Sequence, residues 1–234
     1  ELLGAVSAIY ERDLGCLLEL SYFRLHIGDS PYSDQSFDPR TLVDELQQEW
    51  NSNPVLQNVP RDAVQLLHSP GAFGGDANFH SLCDDSLAYS VSYVHADYSD
   101  PLLEWSYDLY VVAHEFGHVF GADHTHCFDP PIDRCGNWPG CYEGPIVQTP
   151  GTIMSYCDEI DYVFHELVID RARPLLEAAT CLDVAGQPSE ILGGPGQGLL
   201  VRRGPVVAHL SSDDGSAEAV VGAPGSVRLA WVKR

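Results

Sequence analysis

The stretch HEFGHVFGADH, residues 114–124, sets His at its first, fifth and eleventh places, Glu at its second and Gly at its eighth. It closes a longer run, SYDLYVVAHEFGHVFG (106–121), which has helical length and ends on a glycine. On a helix, residues four apart project from one face, one turn apart, so His114 and His118 can share a metal ion without bending the backbone. Glu115 stands beside them, placed to reach a water on that metal rather than the metal itself. Gly121 enters the left-handed backbone region at little steric cost, so the chain can double back there and bring His124 round as a third ligand. His126 is a rival for that third place, although the turn at Gly121 favours His124. Three neutral imidazole nitrogens leave a tetrahedral zinc one open position, which marks a catalytic rather than a structural site. H-E-x-x-H with a downstream His is a specific signal.

The chain around this stretch is ordinary in its apolar content and unusual in its charge. Its 234 residues are 44% hydrophobic and 10% aromatic, enough to bury a core in one domain with a fragment of something else. Twelve basic residues face 34 acidic ones, for a formal charge of −22. Such acidity repels nucleic-acid phosphates and anionic lipid, so neither nucleic acid nor membrane is an expected partner. It suits the surface of a secreted protein. Calcium sites are the sharper alternative, with Asp84-Asp85 and Asp158, Glu159 and Asp161 as candidates. No D-x-[DN]-x-[DN]-G loop supports them, and exposed acidic loops explain them as well. No run of about 18 apolar residues exists to cross a bilayer.

Seven cysteines accompany a single methionine, and Cys127, Cys135, Cys141 and Cys157 crowd into one segment. Without a C-x-x-C pair, a disulfide-stapled loop is favoured over a zinc cluster, and the compartment reads as oxidising and extracellular. The chain opens at Glu1 without a methionine or an apolar leader. It therefore reads as an excised piece, in which a missing signal peptide says nothing about export.

Along the chain, ELLGAVSAIYERDLG places Leu2, Leu3, Val6, Ile9 and Tyr10 on one helical face and stops at Gly15. CLLELSYFRLHI is strand-like. DPRTLVDELQQEWNSNP is a second helix, opened by Asp38 and Pro39 and closed before Pro54. AVQLLHS reads as a buried strand, GAFGG as a loop and SLAYSVSYVHA as another strand. Strands alternating with helices indicate an α/β domain. Residues 122–156 are irregular and rich in Pro, Gly and Cys, as functional or cross-linked coil tends to be. DYVFHELVIDRARPLLEAATCL returns to helical spacing, with Pro174 expected to kink or restart it. The chain divides into a catalytic domain at 1–183, a linker at 184–198 and the start of a truncated β-rich accessory module at 199–234.

HEFGHVFGADH resembles the zinc motif of the metzincins, H-E-x-x-H-x-x-G-x-x-H, and TIMSY, with Met154, resembles their Met-turn. Residues 1 to about 183 look like the catalytic domain of a reprolysin-like (adamalysin-type) metzincin. The blocks VVAHEFGH, HTHC, GCY and GTIMSYC are similar to secreted bacterial members of that group. The resemblance implies a twisted, mixed sheet with one antiparallel edge strand, long helices, and a zinc at the floor of a cleft with Met154 beneath the histidines. Substrate would lie extended along the edge strand, placed here in residues 87–95, by backbone pairing. One departure stands out: Asp usually follows the third His, whereas here Thr125 follows His124 and Asp123 precedes it. The usual support of the third ligand is therefore in doubt.

On this resemblance the chain is a secreted, monomeric zinc endopeptidase. It would hydrolyse protein substrates through a zinc-activated water, with Glu115 as general base. Tyr156 has two readings. Astacin- and serralysin-type metzincins use a Tyr at that spacing to approach the metal, which makes it a candidate catalytic residue; otherwise it packs under the turn. The resemblance also carries a disulfide scheme of Cys127–Cys157, Cys135–Cys141 and Cys83–Cys181, one of fifteen connectivities, with Cys16 as a buried thiol. His80 and His95 are weaker candidates for the cleft, and His26, His68 and His165 read as ordinary strand or helix residues. The alternatives are an inactive metzincin-like domain that binds protein without cleaving it, against which the intact Glu115 speaks, and an astacin- or pappalysin-like peptidase.

Overall fold

The computed structural model describes residues 2–26, 31–32, 38–69, 73–95, 106–182 and 226–233, the last span by its backbone pairing. Helix α1 (Leu2–Leu14) buries Leu2, Val6, Ile9, Tyr10 and Leu14, a spacing that makes one apolar stripe, and Gly15 ends it at φ +72°. Strand β1 (Leu17–Leu25) follows. Helix α2 (Pro39–Ser52) begins where the Asp38 carboxylate accepts the Arg40 N–H and Pro39 presets the first turn. Asn53 closes α2 and caps the short α3 (Pro54–Gln57). Next come β2 (Ala63–His68), β3 (Gly75–Ala77), β4 (Tyr89–Tyr93) and α4 (Tyr107–Val119). Beyond a 3-10 turn at Thr125–Cys127 lie β5 (Pro150–Gly151), β6 (Glu159–Ile160), α5 (Glu166–Glu177) and β7 (Ser226–Lys233).

Five strands form a mixed sheet in the order β1-β7-β2-β4-β3, in which only β3 runs antiparallel, while β5 and β6 pair separately. A buried parallel strand must present apolar side chains to both faces, and β2 does: Ala63 and Leu67 join one core, Val64 and Leu66 the other. The first core holds α1, α4 and α5; the second holds α2, with Trp50 fully buried. The architecture is thus mixed α/β, with helices on both faces of the sheet.

The edge strand is not where the sequence placed it. Tyr89–Tyr93 is an interior strand, paired to β2 on one side and β3 on the other, and every residue in it is buried. The pattern YSVSY imitates a strand with one wet face, but its serines are satisfied inside the protein. Ser92 Oγ donates to the Val111 carbonyl (3.3 Å) and accepts from Gln65 Nε2 (2.9 Å), and Ser90 Oγ donates to Gln65 Oε1. The edge is β3, three residues that carry no strand signal of their own.

The C-terminal strand also departs from expectation. Residues 226–233 lie between β1 and β2 in this sheet rather than in a separate unit. The expected linker at 184–198, and the rest of the module up to residue 225, fall outside the described residues, so the division at 183 stays a proposal. Helix α5 starts only at Glu166, where His165 Nδ1 accepts the Leu167 N–H, and it runs through Pro174 to end within a turn. Among the described residues, no helix is long and apolar enough to cross a membrane.

Candidate metal centre

Helix α4 is capped by Ser106, whose hydroxyl accepts the Leu109 N–H, and it is buried almost end to end against β4 and α1. It carries His114 and His118 one turn apart. The helix then ends in a Schellman arrangement: Gly121 N–H bonds to the His118 carbonyl (2.9 Å) and Ala122 N–H to the Gly117 carbonyl (2.8 Å). Gly121 has φ +85°, a conformation strained for any side chain, and a Cβ there would also lie 2.6 Å from Leu175 Cδ1. The last carbonyls of α4 are covered by the loop after β3, where His80 N–H reaches the His118 carbonyl and Ser81 and Leu82 N–H reach that of Val119.

The chain returns from this cap with His124 facing the helix. Its Nε2 lies 3.2 Å from His114 Nε2 and 3.0 Å from His118 Nε2. Three nitrogens around a tetrahedral zinc at about 2.05 Å would stand roughly 3.3 Å apart, so the spacing fits that ion. The protons agree. His114 Nδ1 faces the Ile153 carbonyl (2.6 Å) and His118 Nδ1 the Ala122 carbonyl (2.9 Å), so both Nδ1 atoms must donate. Both Nε2 atoms then point lone pairs toward His124 Nε2, an arrangement that a cation between the three nitrogens satisfies. Burial holds all three imidazoles neutral: His114 is pushed down to about 3, His118 to about 4, and His124 is lowered further by burial and by its two neighbours. These three residues can hold a metal ion.

Glu115 lies against the edge strand. A Cβ on Gly75 would fall 2.5 Å from Glu115 Cγ and 2.4 Å from the Val91 carbonyl, so β3 can lie over this carboxyl only with glycine there. Burial, followed by the negative charge of Asp76, raises the Glu115 carboxyl well above its ordinary range. Asp76 is itself raised by burial and is 3.7 Å from Arg40.

The segment Thr152–Ser155 supports the site from beneath. Its carbonyls take His114 Nδ1 at Ile153, the Thr125 N–H (3.0 Å) at Met154 and the Tyr110 hydroxyl (2.8 Å) at Ser155. Met154 is fully buried, and a Cβ on Gly117 would sit 2.7 Å from its sulfur. The support that seemed missing after His124 comes from Thr125, whose hydroxyl reaches the Met154 carbonyl (3.2 Å) and Ser155 Oγ (3.2 Å). Asp123 turns outward to Arg171 (3.0 Å). Tyr156 does not pack under the turn. It is 43% exposed, with its ring 4.6 Å from that of His124 and 5.8 Å from that of His114, and burial raises its hydroxyl to about 12.

His126 lies beside the site without joining the three converging nitrogens. His95 sits apart, against Phe73, Tyr107 and Asp108, and the His80 ring lies by Phe79 and Gly121. Asp84 uses its carboxylate on Ser86, and neither acidic run forms a ligand cluster among the described residues. Two expected disulfides are corrected. The bridges are Cys83–Cys181, Cys127–Cys141 and Cys135–Cys157, with Cys16 free and buried. The Tyr142 N–H bonds to the His126 carbonyl, which sets Cys141 against Cys127. The Arg134–Val147 bridge sets Cys135 beside the strand that leads to Cys157. Sequence reading missed Gly75, Thr125 as a support and Ser155. Only the Thr in place of Asp gave a signal.

Residues 1–125 match the family model of the M12B metallopeptidases, reprolysin-like, a span that takes in all three histidines and Glu115. No curated protein matches the chain.

Proposed function

The chain belongs to the reprolysin-like M12B metallopeptidases, and from that premise we propose that it is a secreted zinc endopeptidase with Glu115 as its general base. The observation that carries this reading is the convergence of three histidine Nε2 atoms at the end of α4, with a buried carboxyl of raised proton affinity on the residue next to His114. Zinc, when bound by His114, His118 and His124, supplies a Lewis acid that acidifies a water and polarises the scissile carbonyl. Glu115 takes the proton from the attacking water and returns it to the leaving amine; its raised proton affinity suits both transfers. Gly75 leaves the outer edge of β3 close to that carboxyl, so an extended substrate pairing with β3 would present its carbonyl there. Tyr156, facing the ligands from the open side, can donate its hydroxyl to the developing oxyanion. Thr152–Ser155 plays the part of the Met-turn. Three disulfides fit an oxidising, extracellular setting.

The test pairs metal analysis with hydrolysis of an unstructured protein. One zinc per chain is expected, together with cleavage that a chelator abolishes and zinc restores. Glu115→Gln should keep the zinc and lose about a thousandfold or more in kcat. Zinc without cleavage, in a folded sample, would instead establish a binding domain.

A further inference from the structure

His114 and His118 are each steered by a carbonyl on Nδ1, whereas His124 Nδ1 has no hydrogen-bond partner among the described residues. What holds its ring is aromatic. The His126 ring lies nearly parallel to it, at 13° and 5.0 Å between centroids, and the Tyr156 ring, tilted by 58°, touches both rings, at 4.6 Å from His124 and 5.1 Å from His126. His126 is fully buried, and neither of its ring nitrogens finds a hydrogen-bond partner among the described residues. No hydrogen bond holds this ring by its nitrogens, although leaving them unpaired is costly, and what it presents to His124 is its flat face. Its place is also enforced from behind. A Cβ on Gly136 would fall 2.9 Å from both His126 Nδ1 and Tyr156 Cδ2, so glycine is what lets the wedge close.

We propose that His126 is the positioning residue of the third ligand. Its ring face, set by Gly136 and braced by Tyr156, fixes the plane of His124 where carbonyls fix the other two. This rests on the reading that His114, His118 and His124 bind zinc. An imidazole that donates its lone pair to a cation becomes partly positive, and a neutral π-face beside it favours that state. His126 thereby raises metal affinity without touching the metal.

The experiment measures zinc affinity of the full chain by competition with a chromophoric chelator, together with the absorption spectrum of the cobalt(II) form and the melting temperature of the metal-free form. His126→Ala should weaken zinc binding about tenfold or more, while His126→Phe, which keeps a flat ring, should stay within about threefold of the parent. Gly136→Ala should weaken binding in the same direction by displacing the ring, and both weakened variants should alter the cobalt spectrum. His126→Ala binding zinc as tightly as the parent, with only the metal-free melting temperature lowered, would overturn the proposal. So would His126→Phe losing as much affinity as the alanine variant, because the ring nitrogens would then be what matters. If His126→Phe does not fold, Gly136→Ala decides alone. A parent chain that binds no zinc overturns the zinc reading itself, and this proposal with it.

Discussion

Helix α4 and the segment from Ala122 to Cys157 contribute to the same few cubic ångströms by opposite means. The helix places His114, Glu115 and His118 through its own repeat, and Gly121 just past its end turns the chain back. The segment has almost no repeating structure. It reaches the site through two interleaved disulfides, the carbonyls of Thr152–Ser155 and the stacking of His124, His126 and Tyr156. One half of the centre is therefore local geometry, and the other is long-range closure. The helix should tolerate much that the segment does not, and the converse holds for protons.

The largest effect expected is on the bridges. Replacing Cys135 and Cys157 together removes one disulfide and should cost about 3 kcal/mol of stability. Replacing Cys127 and Cys157 together breaks two bridges, leaves two lone thiols and should cost roughly twice that. Urea unfolding and a thiol count read both, and the reverse order would restore the Cys127–Cys157 pairing.

The helix is instead vulnerable to acid. In the metal-free protein His114, His118 and His124 hold fewer protons folded than unfolded, so the stability they contribute is complete above about pH 6.5 and falls away as pH drops toward 4. Glu115 and Asp76, held up rather than down, work with the opposite sign, while His126, also lowered by burial, adds to the three ligand histidines. A net loss on the order of 3 kcal/mol is expected between pH 7 and pH 5. The control is a His114→Gln, His118→Gln double variant, which shares the charge of the rest of the chain and should lose far less. Equal losses in the two proteins would show that the buried imidazoles are not responsible.

The smallest effect tests where the two halves are tied. Thr125→Val removes a buried hydroxyl that joins the third-ligand turn to Met154 and Ser155, at a cost of about 1 kcal/mol. Thermal melting with and without zinc should show the loss in both forms. A variant as stable as the parent would leave the backbone bond from Thr125 as the sole tie.

What could be read in the sequence divides along the same line. Asp38 with Pro39, Gly15 after an apolar stripe, and two histidines four apart followed by Gly121 are all local arrangements, legible within about a dozen residues. The mixed α/β class followed from their alternation with apolar runs. The edge strand was not legible, because Gly75–Ala77 becomes a strand only by pairing with β4, and Tyr89–Tyr93 hides two serines behind hydrogen bonds to Gln65 and Val111. Nor was the cysteine pairing, since the spacing of four cysteines says nothing of how the coil folds between them. Tyr156 was ambiguous for the same reason: its direction depends on Gly136, twenty residues earlier in that coil.

Met154 is the one methionine in the chain, and it lies fully buried with its sulfur against Gly117. Thioether oxidation needs access, and its product is polar and does not fit back into an apolar contact. A single sulfoxide per chain is therefore a chemical clock. The rate at which peroxide produces it counts how often the floor of the centre comes open, with no competing thioether elsewhere in the sequence to blur the record.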